Sequence, residues 1–183
     1  MSEIDAALTA WINAGVDHFP PLDFLMIWIS AIGVPLLVAA VAIQWWVPRS
    51  DRPARHVLVA AGLSFLLGLG LNQLVLLFVQ RVRPYDAGIT HLLIDKSADY
   101  SFPSDHATAS FAIAAAFLLH GLSKRGLILL AAAVLLAISR IYIGTHYVGD
   151  VLGGAATGIV AAILVRAVYR EGSKLDRLVT GIL

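Results

Sequence analysis

Three short stretches of this 183-residue sequence hold the side chains best able to do chemistry: Arg83-Pro84, then Pro103-Ser104-Asp105-His106, then Ser139-Arg140 followed by His146 and Asp150. Two arginines, two histidines, a serine and an aspartate supply what phosphoryl transfer needs, namely charge clamps, a nucleophile and a general acid. Each residue also has a plainer reading. Arg83 alone is compatible with an interfacial side chain that snorkels to water. Arg140 interrupts an apolar helix, where a charge is costly and usually functional. Ser104 after Pro103 is placed to cap a helix, and the free N–H groups of that helix end form an anion site in which the same hydroxyl could donate to a phosphate oxygen. A lone histidine on an apolar helix, such as His106, is more often a hydrogen-bonded core residue. His146 differs: if a helix begins near Thr145, Asp150 lies one turn later on the same face. There its carboxylate can hold one ring nitrogen and leave the other unprotonated, as a nucleophile or a base. His18, His56, His91 and His120 have no such partner in the sequence and read as interfacial or loop residues. No spacing matches a transition-metal site, so no metal and no other cofactor is expected, a carboxylate-held ion being the remaining option.

The elements that must position these residues are membrane helices. Hydrophobic residues make up 59% of the chain and charged ones only 14%, against roughly a quarter charged in a soluble domain. The absence of cysteine excludes disulfides and thiolate metal sites, and a net charge of +1 argues against a nucleic-acid binder. The pattern predicts an all-α polytopic bundle of about five spans, in a single domain over residues 1–183. The spans are Leu22 to Val47, with a kink at Gly33 and Pro35, then Val57 to Val79, Ala107 to Leu119, Leu127 to Ile143 and Val148 to Val165. Asn72 and Gln73 interrupt the second span and need partners. In the last, Gly154 and Gly158 would let a neighbouring backbone approach closely. Residues 2–15, with Ile4, Leu8, Trp11 and Ile12 at helical spacing and Ser2 with Asp5 as a capping box, read as an amphipathic helix lying in the interface. The Gln80 to Pro103 stretch is too polar and too punctuated by Pro84, Gly88 and Pro103 for a span, and reads as a functional loop.

Basic residues choose the orientation. Arg49, Arg52, Arg55, Lys124, Arg125, Arg166, Arg170, Lys174 and Arg177 fall on one side of the five spans, leaving Arg81, Arg83, Lys96 and Arg140 on the other, so the first side is expected to be cytoplasmic. The three chemical stretches then share the extracytoplasmic side.

At this point the sequence resembles the type 2 phosphatidic acid phosphatase superfamily, over roughly Asn72 to Asp150. The family's motifs are a lysine, six residues and Arg-Pro; Pro-Ser-Gly-His; and Ser-Arg, five residues, His, three residues, Asp. Here they stand as Arg83-Pro84, as Pro103 to His106 with Asp105 in place of glycine, and as Ser139-Arg140 with His146 and Asp150 at the family spacing. The resemblance implies that His146 is a nucleophile forming a phosphohistidine, Asp150 its orienting partner and His106 the acid that protonates the leaving group. It also implies that Arg83, Ser104 and Arg140 clamp the phosphate. The departure is Leu76, where the family has lysine; Arg81 or Lys96 could replace that cation from the loop. The Pro-Ser-Asp-His variant, the missing lysine and the small size are similar to the bacitracin-resistance branch, the undecaprenyl pyrophosphate phosphatases of bacterial cell-wall synthesis. The resemblance therefore implies a multi-pass protein of a bacterial cytoplasmic membrane whose partners are the bilayer and a phosphorylated lipid. Competing substrates are phosphatidylglycerol phosphate, phosphatidic acid and lipid A, and a lipid phosphotransferase is the competing reaction. The reading from a different class is a transporter or structural membrane protein, against which the sequence offers no inverted repeat.

Overall fold

The computed structural model describes residues 3–46 and 52–182. Its regular elements are helical: α1 (Glu3–Asn13), α2 (Pro20–Ile43, continued by a 3-10 turn Gln44–Trp46), α3 (Arg52–Leu76), α4 (Asp105–Leu119), α5 (Ser123–Tyr142), α6 (Val148–Val168) and α7 (Lys174–Thr180). The serine of the expected first capping box, Ser2, the last residue of the first expected span, Val47, and Arg49 of the charge pattern lie outside the described residues. Helices α2, α3, α5 and α6 are long and apolar enough to cross a bilayer, and their outward faces carry large apolar side chains such as Phe24, Leu36, Leu66, Leu74, Ile128 and Leu152. The protein is a multi-pass membrane protein.

The third expected span is the 15-residue α4, about 22 Å long at 1.5 Å per residue and so shorter than a hydrocarbon core of ~30 Å. It still runs the depth of the bundle. At one end its Asp105 and Thr108 meet Asn72 near the end of α3, and at the other His120 lies edge-on to His56 near the start of α3, with ring centroids 5.2 Å apart. A short helix suffices because α4 is central. Ala107, Ala112, Ala114, Ala116 and Phe117 are fully enclosed by α3, α5 and α6, so lipid never has to match its length.

Small residues set that closeness. A Cβ on Gly158 would overlap the Thr108 carbonyl and come 2.8 Å from the Ala112 nitrogen, and one on Gly154 would overlap the Ser104 carbonyl. Here α6 lies backbone to backbone on α4, as small residues at helix interfaces allow. Gly33 does the same between α2 and α5, where a Cβ would sit 2.8 Å from Leu136 Cδ1, and α2 continues unbroken past Pro35. Of the two amides in α3, Asn72 is buried and donates to Asp105 (2.7 Å) and Thr108 (2.8 Å), whereas Gln73 is exposed.

Alternating helix directions bring the start of α2, the end of α3, the start of α4, the end of α5 and the start of α6 to one end of the bundle. All three chemical stretches are there. The 80–103 loop covers this end and is tied down by backbone bonds from Ser101 to Arg81 (2.8 Å) and from Leu93 to Ile143 (3.1 Å). The α5–α6 turn needs Gly144, whose φ is 86° and whose Cβ would overlap the His91 carbonyl.

One expectation is made specific and one is corrected. Helix α1 is amphipathic as expected, and its polar face is the one that packs on the bundle. Ile4, Leu8 and Trp11 are exposed, while Asp5, Thr9 and Asn13, spaced four apart, bond to the protein. Periodicity shows that a helix has two faces, and only packing shows which one meets the bundle. Likewise His56 has a partner after all: its Nδ1 lies 2.8 Å from Asp176 of α7 and its ring stacks on Tyr169 at 4.7 Å. The carboxylate comes from 120 residues away, beyond any local pattern.

Candidate active site

Four of the six expected residues, Arg83, His106, Arg140 and His146, line one cavity of about 120 Å³, together with Leu76, Ser97, Asp99, Tyr100, Pro103 and Asp105. Ser104 stands between two of these, and Asp150 lies behind His146.

His146 sits in the short connector between α5 and α6 and is almost wholly buried. Its Nδ1 lies 2.9 Å from the Ser101 carbonyl and 3.6 Å from Asp150 Oδ2. The carbonyl can only accept, so Nδ1 carries the proton and Nε2 the lone pair. Burial pushes the pKa of this imidazole down, against the opposing pull of Asp150, so the ring is neutral and its lone pair free. The expected direct hydrogen bond to Asp150 is thus replaced by a bond to a backbone carbonyl, with the carboxylate a little farther off. Asp150, fully buried, accepts instead from the Ser101 hydroxyl, from the Tyr147 amide (2.8 Å) and from Arg81 (2.6 Å). It therefore fixes both sides of His146: the segment that supplies its acceptor, and the start of α6 that carries it.

Ser104 occupies the N-cap position of α4, yet its hydroxyl bonds to no helix amide. Its own N–H donates to the Asp150 carbonyl (3.0 Å), which joins the second chemical stretch to the third, and its Oγ is buried without a partner. Arg140, near the end of α5, shares this property: Nη1 donates to the Ser30 hydroxyl of α2, while Nε is buried and unpartnered. A buried polar group left unpaired costs about 1–3 kcal/mol, and more when charged, so two of them beside one cavity mark it as built for an acceptor-rich ligand.

Arg83 is bound differently. It donates to the Thr145 carbonyl (2.9 Å), the Asp99 carbonyl (3.0 Å) and the Asp99 carboxylate (2.7 Å). Desolvation works to raise the pKa of Asp99, but the hydrogen bonds from Ser97 and Arg83 outweigh it and hold the carboxyl below its ordinary range. Arg83 thus meets a ligand already paired, and Arg140 is the cation with open capacity.

Leu76, at the position where the first motif departs, lines the cavity. Neither proposed replacement is in it. Arg81 faces Asp150 and Asp5, with its guanidinium 3.8 Å above the Tyr147 ring, and Lys96 is exposed and paired with Asp86 at 2.6 Å. Asp105, the variant residue of the second motif, lines the cavity and accepts from Asn72. Among the described residues no group of three or more His, Asp or Glu stands close enough to hold a metal ion. No local pattern points to Asp99, Ser101 or Ser30, each an ordinary loop or helix residue until the fold brings it to the site. Arg81 is legible as a spare cation of the loop, but its direction, toward Asp150 and Asp5, is not.

Residues 57–173 match the family model of the PAP2 superfamily. The chain is 35% identical over 147 residues to undecaprenyl-diphosphatase BcrC of Bacillus subtilis (80% of this chain, 75% of that one). It is 36% identical over 173 residues to phosphatidylglycerophosphatase B of the same organism (85% and 74%). Its fold is similar to the crystal structure of a transmembrane PAP2 type phosphatidylglycerolphosphate phosphatase from Bacillus subtilis, with a TM-score of 0.63 and 28% identity over 93% of this chain and 87% of that one. With the motifs gathered round one cavity in a membrane bundle, this chain belongs to the PAP2 superfamily, among its multi-pass membrane lipid phosphatases, and is a phosphoric ester hydrolase.

Proposed function

We propose that the chain hydrolyses undecaprenyl pyrophosphate to undecaprenyl phosphate through a phosphohistidine on His146, at the extracytoplasmic face of a bacterial cytoplasmic membrane. The observation that carries the chemistry is a neutral, buried imidazole whose Nε2 is free at a cavity where the Arg140 Nε has no partner. Nε2 attacks the terminal phosphorus as the bond from phosphorus to the bridging oxygen breaks, and the lipid phosphate leaves. His106, protonated alongside the bound anionic substrate, gives that proton to the leaving oxygen. Arg140, the Ser104 hydroxyl and Arg83 bind the equatorial oxygens, where charge builds up in the transition state. A water, deprotonated by the now neutral His106, then attacks phosphorus, breaks the N–P bond, releases inorganic phosphate and restores neutral His146.

The choice of lipid rests on the Pro-Ser-Asp-His variant, on Leu76, and on similarity to a protein named undecaprenyl-diphosphatase. Similarity to a phosphatidylglycerophosphatase is of the same order, so the experiment must separate diphosphate from monophosphate. Cleaving a diphosphate expels a phosphate whose second pKa is about 6, whereas a monophosphate ester expels an alkoxide whose conjugate acid is near ~15, comparable to water. The general acid therefore matters less for the diphosphate. With purified protein, undecaprenyl pyrophosphate should turn over faster than phosphatidylglycerol phosphate, phosphatidic acid or lipid A. In single-turnover measurements His106→Ala should lose less rate on the diphosphate than on phosphatidic acid. Equal losses would show that His106 is a phosphate ligand or structural group, and preference for a monophosphate would overturn the substrate.

The membrane side is supported by the basic residues at the α7 end of the bundle. A cysteine at the exposed Ala87 should react with an impermeant thiol reagent added to cells with a permeabilised outer layer, and one at Ser123 should not. Ala87 is preferred over Gly88, whose φ of 71° would strain a cysteine. Reversed labelling would place the site in the cytoplasm.

A further inference from the structure

Arg81 does not supply the missing cation of the cavity, and its surroundings are unusual. Its guanidinium is forked between two carboxylates, with Nη1 2.6 Å from Asp150 Oδ1 and Nη2 2.5 Å from Asp5 Oδ2. Asp5 lies on α1, and its other oxygen accepts from the Gly149 amide at 2.8 Å. One turn later the Thr9 hydroxyl accepts from the Val148 amide at 3.0 Å. One more turn on, Asn13 donates to the carbonyls of His91 (2.9 Å) and Tyr142 (2.7 Å) and accepts from the His91 amide. The polar face of α1 therefore binds the first amides of α6, the α5 end and the loop over the site. The packing leaves no slack, since a Cβ on Gly149 would lie 2.8 Å from Asp5 Oδ2 and 3.3 Å from Arg81 Nη1.

The electrical situation of Asp150 makes this arrangement functional. Its carboxylate is wholly removed from water, a position that costs several kcal/mol for a charge unless it is paired. His146 is neutral at rest, so it is no counter-ion, and Arg81 is the cation in contact. When Nε2 bonds to phosphorus, the imidazole becomes cationic, and a fixed negative charge 3.6 Å away favours that state over the neutral one.

We propose that Arg81, steadied by Asp5 of the N-terminal helix, is a positioning residue that pairs with Asp150 and keeps it aligned behind His146, making α1 part of the catalytic apparatus. The inference rests on the phosphohistidine reading above. Arg81 lines no part of the cavity, so its loss acts on the chemical step and leaves binding intact.

The test compares Arg81→Ala, Arg81→Lys, Asp5→Asn and the double variant Arg81→Ala/Asp5→Asn with the wild type and His146→Ala, using undecaprenyl pyrophosphate and phosphatidic acid in detergent. Asp5→Asn retains an oxygen for the Gly149 amide while removing the carboxylate charge that faces Arg81. Arg81→Ala should lower kcat by about 50-fold with KM within about twofold, the size of effect seen when the group orienting a reactive imidazole is removed. Arg81→Lys should recover part of that loss, because one ammonium keeps the charge but cannot bridge both carboxylates. Asp5→Asn should lower kcat by about fivefold, and the double variant should be no worse than Arg81→Ala, because Asp5 acts through Arg81. A folded Arg81→Ala protein with unchanged kcat, a raised KM at constant kcat, or additive losses would overturn the proposal. Should Arg81→Ala fail to fold, wild-type kcat in Asp5→Asn together with Arg81→Lys would overturn it equally. An inactive wild type, or an active His146→Ala, overturns the phosphohistidine reading itself, and the controls reveal that whatever the Arg81 variants do.

Discussion

His146→Ala is expected to abolish turnover on every lipid substrate, lowering kcat by at least ~10⁴-fold, as losing the nucleophile does in enzymes with a covalent intermediate. The expectation follows from the contents of the cavity. His146 and His106 are its nitrogen nucleophiles, and only His146 has a ring nitrogen bonded to a fixed acceptor, the Ser101 carbonyl, so that the other nitrogen is held in one direction. The fold should survive the change. The lost hydrogen bond is worth about 1 kcal/mol, and the cation that neutralises Asp150 is Arg81, not the imidazole. Rapid quenching of the wild type with labelled substrate should trap an acid-labile, base-stable phosphoenzyme, absent from the variant, while the melting temperature in detergent changes by only a few degrees. Asp150→Asn should keep a trace of activity, because the Ser101 carbonyl still holds the tautomer. Near wild-type turnover by His146→Ala would end the phosphohistidine mechanism.

Arg140→Ala should produce the second largest effect, a fall in kcat/KM of about 10²–10³-fold, with stability unchanged or slightly improved. A buried guanidinium whose partner is one hydroxyl, with Nε unpaired, is a burden on the ligand-free protein and is relieved when the side chain is removed. Stabilisation of the apo protein together with a large loss of function would show that the residue serves the ligand rather than the fold. Arg83 should behave in the opposite way. It donates to Asp99 and to the carbonyls of Thr145 and Asp99, so Arg83→Ala leaves a carboxylate and a loop without their partner and should lower the melting temperature as well as the rate. Thermal melts and kcat/KM measured on the two alanine variants check both statements. A strongly destabilised Arg140→Ala, or one with wild-type kcat/KM, would remove Arg140 from the clamp.

The asymmetry between the arginines also bears on Leu76. With no lysine in the cavity and Arg83 shared with Asp99, the positive charge available to a ligand is concentrated on one side, at Arg140. Lys96 and Arg81 do not repair this, because each is committed elsewhere, one to Asp86 on the exposed loop and the other to the Asp5 and Asp150 pair.

Much of this protein was legible in its sequence, because hydropathy and helix periodicity are local properties. The apolar runs predicted the spans of α2, α3, α5 and α6 to within a few residues, and Gly154 and Gly158 predicted a close neighbour for α6, which the fold shows to be α4. Spacing alone placed the six polar residues at one end of the bundle, since helix count and direction follow from the order of apolar runs. Pairing did not follow. The His146 acceptor is a backbone carbonyl 45 residues away, and Asp150 takes Arg81 from 69 residues away. Hydrogen bonds and ion pairs form between whatever donors and acceptors packing brings within 3 Å, and a one-dimensional pattern carries no record of that. The inward polar face of α1 was hidden for the same reason. The spacing of Asp5, Thr9 and Asn13 is that of any amphipathic helix, and only the free amides at the start of α6, which need acceptors, decided which face turned in.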